Sequence, residues 1–157
     1  MPNWCTGELT VTGDREELDK FRKHMGKEGL NADKVIPYPL EFKLKDKAAA
    51  RYEKAHPGDW QGRPKDGFNQ GGYDWCCENW GTKWGFCDVE VLTNKKDDYA
   101  EYAFSTAWGS ITPVIKRMGK LFRKLKFSYA FKEEGMGFAG AFVIAKGKVV
   151  TDTIFDI

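Results

Sequence analysis

Two stretches far apart in the chain carry the same pattern, an alternating strand that runs into an amphipathic helix. This repeat limits the possible folds more than any other feature. Residues 6–12 alternate, with Leu9 and Val11 on one side and Glu8 and Thr10 on the other, the mark of a half-buried strand. Gly13 ends it. Asp14-Arg15-Glu16-Glu17 then fits a capping box, in which the Asp14 side chain would bond the amide near Glu17. Leu18, Phe21 and Met25 follow at helical spacing, and Gly26 closes the helix.

The second copy is longer. Residues 88–92 alternate, with Val89 and Val91 inward and Asp88 and Glu90 outward, and a polar turn over 94–98 leads to a returning strand through Tyr102 and Phe104. Thr112-Pro113 starts a helix, Thr112 as the cap and Pro113 at the first helical position. Val114, Ile115, Met118, Leu121, Phe122 and Leu125 form its apolar face. Phe127, Tyr129 and Phe131 alternate as a further strand. Residues 138–145 are apolar on both faces, and Lys146-Gly147 turns the chain into a last strand over 148–155.

Between the copies lies an insert of about residues 27–87. Residues 35–40 are extended and stiffened by Pro37 and Pro39. Residues 45–55 have the composition of a short helix, stopped by His56-Pro57-Gly58, and residues 59–72 read as a polar, glycine-rich loop. The order is therefore strand, helix, insert, strand, strand, helix, strand and terminal hairpin. Right-handed crossovers make this an α+β, ferredoxin-like (βαβ-βαβ) antiparallel sheet with two helices on one face, in a single domain over 1–157. A chain of 157 residues, 41% hydrophobic and 31% charged, is large enough to bury such a core without staples.

Four motifs, in this order, sharpen the reading: Met1-Pro2-Asn3-Trp4-Cys5, Asn79-Trp80-Gly81-Thr82-Lys83-Trp84, Phe104-Ser105-Thr106-Ala107-Trp108, and Glu134-Gly135-Met136-Gly137-Phe138-Ala139-Gly140. In this combination the chain resembles the YubB-like ferredoxin-fold family of phage and conjugative-plasmid proteins. The likeness spans nearly the whole length. It departs at Gly7, where the family pattern has Asn, and at Gly109-Ser110-Ile111, which replaces a more proline-rich stretch. The resemblance implies a ferredoxin-like fold and a mobile-element origin. It carries over no catalytic residues. Small proteins of that origin often bind and disable host defence machinery, so the implied function is counter-defence, of the anti-CRISPR kind or similar.

The expected topology brings separated segments together. Strands one and two run one way, and strands three and four the other, so Trp4, Trp80, Trp84 and Trp108 should meet at one end of the sheet. Asn79, Thr82 and Lys83 would supply polar groups beside them. Such a cluster suits a partner surface or a ligand pocket. The same tryptophans would equally serve to plug the end of the core.

A second candidate is the basic strip of Lys116, Arg117, Lys120, Arg123 and Lys124 on the second helix, uninterrupted by acids from Pro113 to Lys132. It could meet phosphates or an acidic protein. A net charge of only +2 gives nucleic acid no global support. The outward Glu8, Asp88, Glu90 and Glu101 argue against RNA on the open sheet face.

Catalytic and metal signals are weak. The four cysteines include no Cys-x-x-Cys pair, neither His24 nor His56 is tied to a cysteine, and the Asp97-Asp98 and Glu133-Glu134 pairs read as solvated turns. No catalytic residue, metal or cofactor is expected. No apolar run reaches membrane-spanning length, and Met1-Pro2-Asn3-Trp4-Cys5 is not expected to open a signal peptide, so the expected location is the bacterial cytosol, with free thiols.

The reading that follows is a non-enzymatic protein-binding module acting on a host protein or ribonucleoprotein complex. The alternatives are a nucleic-acid binder using the basic helix, and a small-ligand binder or enzyme with its pocket at the Trp-rich end. An unpaired edge strand could also build a dimer.

Overall fold

The computed structural model describes all residues, Met1–Ile157. The elements are β1 (Trp4–Thr12), α1 (Arg15–Met25), α2 (Leu40–Ala55), α3 (Gly72–Asn79), β2 (Cys87–Val91), β3 (Tyr99–Ala107), α4 (Thr112–Leu121), β4 (Lys126–Glu133), β5 (Phe138–Ala145) and β6 (Lys148–Asp156). Short 3-10 turns occupy Ala32–Lys34 and Phe68–Gln70. The six strands form one antiparallel sheet in the order β2-β3-β1-β4-β5-β6. The first four strands have the ferredoxin-like arrangement, and β5 and β6 extend it as a hairpin.

Alternation decides which face meets the helices. Cys5, Leu9 and Val11 of β1 are buried, as are Tyr102 and Phe104 of β3 and Phe127, Tyr129 and Phe131 of β4. They join Leu18, Phe21 and Met25 of α1 and Val114, Ile115 and Met118 of α4 in one apolar cluster. The opposite face is open, and a shallow depression on it is lined by Glu8, Asp88, Glu90 and Lys132. Gly7 is required within β1, because a Cβ there would lie 2.5 Å from the ring of Phe104.

Arg22 holds the turn between β2 and β3. Its guanidinium donates to the carbonyls of Asn94, Lys95, Asp97 and Tyr99 at 2.9–3.4 Å. The fork geometry of arginine suits this role, since its donors point in several fixed directions at once. The β5–β6 turn is Lys146-Gly147, with φ of 53° and 76°, and Ala145 pairs with Lys148 across it. Two consecutive positive φ angles match the right-handed twist of the hairpin.

Several local expectations need correction. Asp14 stands at the N-cap of α1 but makes no side-chain cap hydrogen bond. The second core helix begins at Thr112 with Ile111 as its cap, so Thr112 is not the cap. That helix also ends at Leu121 rather than running to Leu125. Leu125 is buried all the same, from the turn into β4. Val91 is inward-facing, against Gly29 and Tyr102, but half exposed, because β2 is the sheet edge.

The insert is more ordered than its composition suggests. α2 starts at Leu40 rather than Lys45, with Pro39 before it. A helix, α3, spans the Trp- and Cys-rich segment over 72–79 that carried no helical pattern. The Asp46 carboxylate ties the insert together, accepting from Tyr38 Oη at 2.9 Å and from the Phe68 amide at 2.9 Å.

Candidate functional site

The tryptophans divide into two groups. Trp80 is a plug. It is 8 % exposed, its Nε1 donates to the Ile36 carbonyl at 2.9 Å, and its ring packs at 5.3 Å edge-on to Trp75 and at 5.9 Å to Tyr38. Asn79 and Thr82 serve the same local structure. Asn79 Nδ2 donates to the Trp75 carbonyl at 2.9 Å, at the end of α3. The buried Thr82 Oγ1 accepts from the Gly85 amide at 3.2 Å. These contacts tie the insert to itself, and Trp80 joins it to the core cluster, so the three residues present little to a partner.

Trp4, Trp84 and Trp108 form the other group. They are 39 %, 39 % and 40 % exposed and come from three separate segments. Trp4 opens β1 and pairs in register with Ala107, the last residue of β3. Trp108 follows directly. Its N–H donates to the Asn3 carbonyl at 2.8 Å, which fastens the end of β3 to the start of β1. The Trp4 and Trp84 rings lie 6.2 Å apart, tilted by 39°. Tyr73 of α3 packs edge-on to Trp108 at 5.9 Å.

Lys83 sits among these rings. Its Nζ is 4.5 Å from the Trp84 centroid and 4.8 Å from that of Trp108. The ammonium forms no ion pair with any carboxylate. Two indole faces therefore hold its charge, each contact being worth about 0.5–1 kcal/mol at an exposed site. The result is an aromatic platform with one unneutralised positive charge.

The backbone beneath the platform is strained. Trp108 has φ of +70°, the left-handed region that a bulky side chain ordinarily avoids at a cost of about 1–2 kcal/mol. Thr106 supports this geometry by donating from Oγ1 to the Gly109 carbonyl at 2.6 Å. Glu133 braces the neighbouring corner. Its carboxylate is buried and accepts from the Gly135 and Met136 amides at 2.8 and 2.6 Å. Glu133 is thus not a solvated turn acid. The sequence carries a signal for this, because Glu133 continues the inward series Phe127, Tyr129, Phe131. Tyr73 carries no comparable signal.

The basic strip is less continuous than its sequence. Only Lys116, Arg117 and Lys120 lie on α4, while Arg123 and Lys124 fall in the turn beyond its end. Lys116 approaches Asp152 of β6 at 3.9 Å, and Lys124 approaches Glu17 of α1 at 3.8 Å. Arg123 lies against Gly147. The two acids that break the strip are remote in sequence.

All four thiols are free. Burial pushes Cys5 up to about 11 and Cys76 up to about 12, so both are protonated and poor nucleophiles near neutrality. No group of three or more His, Cys, Asp or Glu side chains is arranged to hold a metal ion. At pH 8, iodoacetamide is expected to label the half-buried Cys77 well before Cys5 or Cys76, as read by peptide mass mapping. Equal labelling of Cys5 or Cys76 would contradict their burial.

Comparison with known proteins bears on the fold. A family model described as "Ferredoxin-like domain in Api92-like protein" matches residues 88–157. The crystal structure of a protein api92 from Yersinia pseudotuberculosis has a similar fold, with a TM-score of 0.64 over 100% of this chain and 99% of that one, at 9% sequence identity. No curated protein matches the sequence. No helix is long and apolar enough to cross a membrane.

Proposed function

We propose that the chain is a non-enzymatic protein-binding module, and that its contact surface is the Trp4–Trp84–Trp108 platform with Lys83 at its centre. One observation carries this reading. Trp108 is kept in a left-handed backbone conformation with its indole still 40 % exposed. Glycine would occupy that backbone position without strain. Backbone strain persists where something other than stability is served, and tryptophan is enriched among the anchor residues of protein interfaces. The unneutralised Lys83 ammonium adds a preference for a partner that brings an acidic group to the centre of the contact.

The phage or plasmid origin and the counter-defence role rest on the sequence resemblance, which makes host defence proteins of the bacterial cytosol the first partners to test. A capture experiment separates the readings. The wild-type chain is expected to retain a stoichiometric protein from bacterial lysate, and the triple Trp4→Ala, Trp84→Ala, Trp108→Ala variant, folded by circular dichroism, is expected to retain none. Equal retention by both would sink the proposal. Nucleic acid is the alternative, favoured by Arg117, Lys120 and Arg123, which have no carboxylate partner. It predicts instead a salt-sensitive gel shift that is lost on Arg117→Glu with Lys120→Glu.

A further inference from the structure

A cavity of about 780 Å³ opens at the β2 edge of the sheet, between the end of α1, the turn over residues 26–29 and the connection from β2 to β3. It shares no residue with the Trp platform. Four cations line it, Arg22, Lys23, Lys27 and Lys95, against one acid, Asp19. Arg22 is already engaged, by Asp19 at 3.5 Å and by the turn carbonyls. Lys23, Lys27 and Lys95 form no ion pair.

Cations near the end of a helix ordinarily serve its last carbonyls. Here another residue does so, because Lys34 Nζ donates to the Met25 carbonyl at 3.3 Å. Lys23 and Lys27 are therefore surplus to the helix end, and Lys95 reaches the same cavity from a separate segment.

The uncharged lining points the same way. Thr93 Oγ1 accepts from the Glu101 amide at 3.1 Å, and Asn94 Oδ1 accepts from the Lys96 amide at 2.9 Å. Their oxygens are engaged, which leaves the Thr93 hydroxyl proton and the Asn94 amide hydrogens to donate. Tyr102 adds a buried donor. It is 2 % exposed, forms part of the cavity wall, and its hydroxyl has no hydrogen-bond partner within the chain. Burial pushes its ionisation above the ordinary tyrosine range, so the hydroxyl keeps its proton. Buried hydroxyls ordinarily have a partner, and the cavity is where this one can be met.

We propose that this cavity binds a small polyanion, an oligophosphate or a phosphorylated metabolite, with Lys23, Lys27 and Lys95 around its charge and the Tyr102 hydroxyl donating to one of its oxygens. Ionised phosphate oxygens accept hydrogen bonds most strongly from charged donors, and the lining offers a surplus of three positive charges. The volume is that of a small-molecule site. The inference is independent of the Trp platform.

Isothermal titration calorimetry at low ionic strength, with inorganic triphosphate as the probe, tests this. The wild-type chain is expected to bind one triphosphate. Lys23→Glu with Lys27→Glu is expected to weaken binding at least about thirtyfold. Lys47→Glu with Lys54→Glu, an equal change of net charge at exposed positions of α2, is expected to leave the affinity within about twofold, since charges beyond a Debye length are screened. Tyr102→Phe removes only the hydroxyl. It is expected to weaken binding about tenfold at an unchanged melting temperature, because that hydroxyl holds nothing in the fold.

ATP as a second probe separates the sources. Affinity at or above that of triphosphate admits nucleotides, and lower affinity confines the site to smaller phosphates. The absence of saturable triphosphate binding by the wild-type chain overturns the proposal. So does an equal loss in the α2 control, or an undiminished affinity in Tyr102→Phe. A single-stranded oligonucleotide that displaces triphosphate and binds more tightly also overturns it, in favour of a nucleic-acid surface. Circular dichroism melts of each variant check that folding is intact.

Discussion

Phe21→Ala is expected to lower the free energy of unfolding by about 3–5 kcal/mol. Phe21 is fully buried on α1, and its ring meets three others edge-on: Phe122 at 5.3 Å, Phe127 at 5.6 Å and Tyr102 at 6.3 Å. Those partners come from the turn after α4, from β4 and from β3. The ring therefore joins the first helix to both flanking strands and to the end of the second core helix. Truncation removes the transfer free energy of the ring and leaves a cavity. Tyr102 and Phe127 sit on paired strands of the sheet and cannot move inward to fill it.

For a domain whose total stability is typically about 5–15 kcal/mol, that loss is severe. Urea unfolding followed by circular dichroism is expected to show a lower midpoint with an unchanged slope. Phe21→Leu, which keeps more of the volume, is expected to cost less. A loss below about 1 kcal/mol for Phe21→Ala would mean that α1 does not dock on this cluster.

Trp108 is expected to separate binding from stability. Trp108→Ala and Trp108→Gly both remove the indole, and each is expected to weaken partner binding by at least about 2 kcal/mol, roughly thirtyfold in Kd. Their stabilities are expected to differ. Alanine keeps a Cβ at φ of +70°, whereas glycine adopts that angle freely, so the Gly variant is expected to be more stable than the Ala variant by about 1 kcal/mol. Calorimetric titration against the captured partner reads the first effect, and thermal unfolding reads the second. Should the two variants bind as tightly as wild type, Trp108 is not an anchor. Should Ala be the more stable of the two, the left-handed conformation is not a source of strain.

The elements that were legible from the chain share one property: their pattern is local and dense. Leu18, Phe21 and Met25 recur at helical spacing and are all buried on α1. Leu9 and Val11 alternate with Glu8 and Thr10, and only the first pair is fully buried. Lys146-Gly147 makes the tight turn its residues allow. The α3 segment lacks such a pattern. It opens on Gly72 and Tyr73 and carries few strong helix formers, so its helix depends on Trp75 and Trp80 finding Tyr38 on the far side of the insert.

The candidate site was legible in position but not in detail. Strand direction alone brought Trp4, Trp84 and Trp108 to one end of the sheet, and they are there. Which tryptophans would be buried did not follow from that. Trp80 and Trp84 are four residues apart, yet one plugs the core and the other faces water. The basic strip is interrupted for a related reason. Asp152 and Glu17 reach Lys116 and Lys124 only once β6 and α1 have packed beside them.

The chain by itself determined the order of the strands and of the two core helices, and the face that each buries, because hydrophobic period acts between residues a few positions apart. Only the tertiary structure decided which indoles remain exposed and that Trp108 is held with positive φ. Each of those depends on neighbours supplied by segments tens of residues away, and no local pattern encodes a neighbour of that kind.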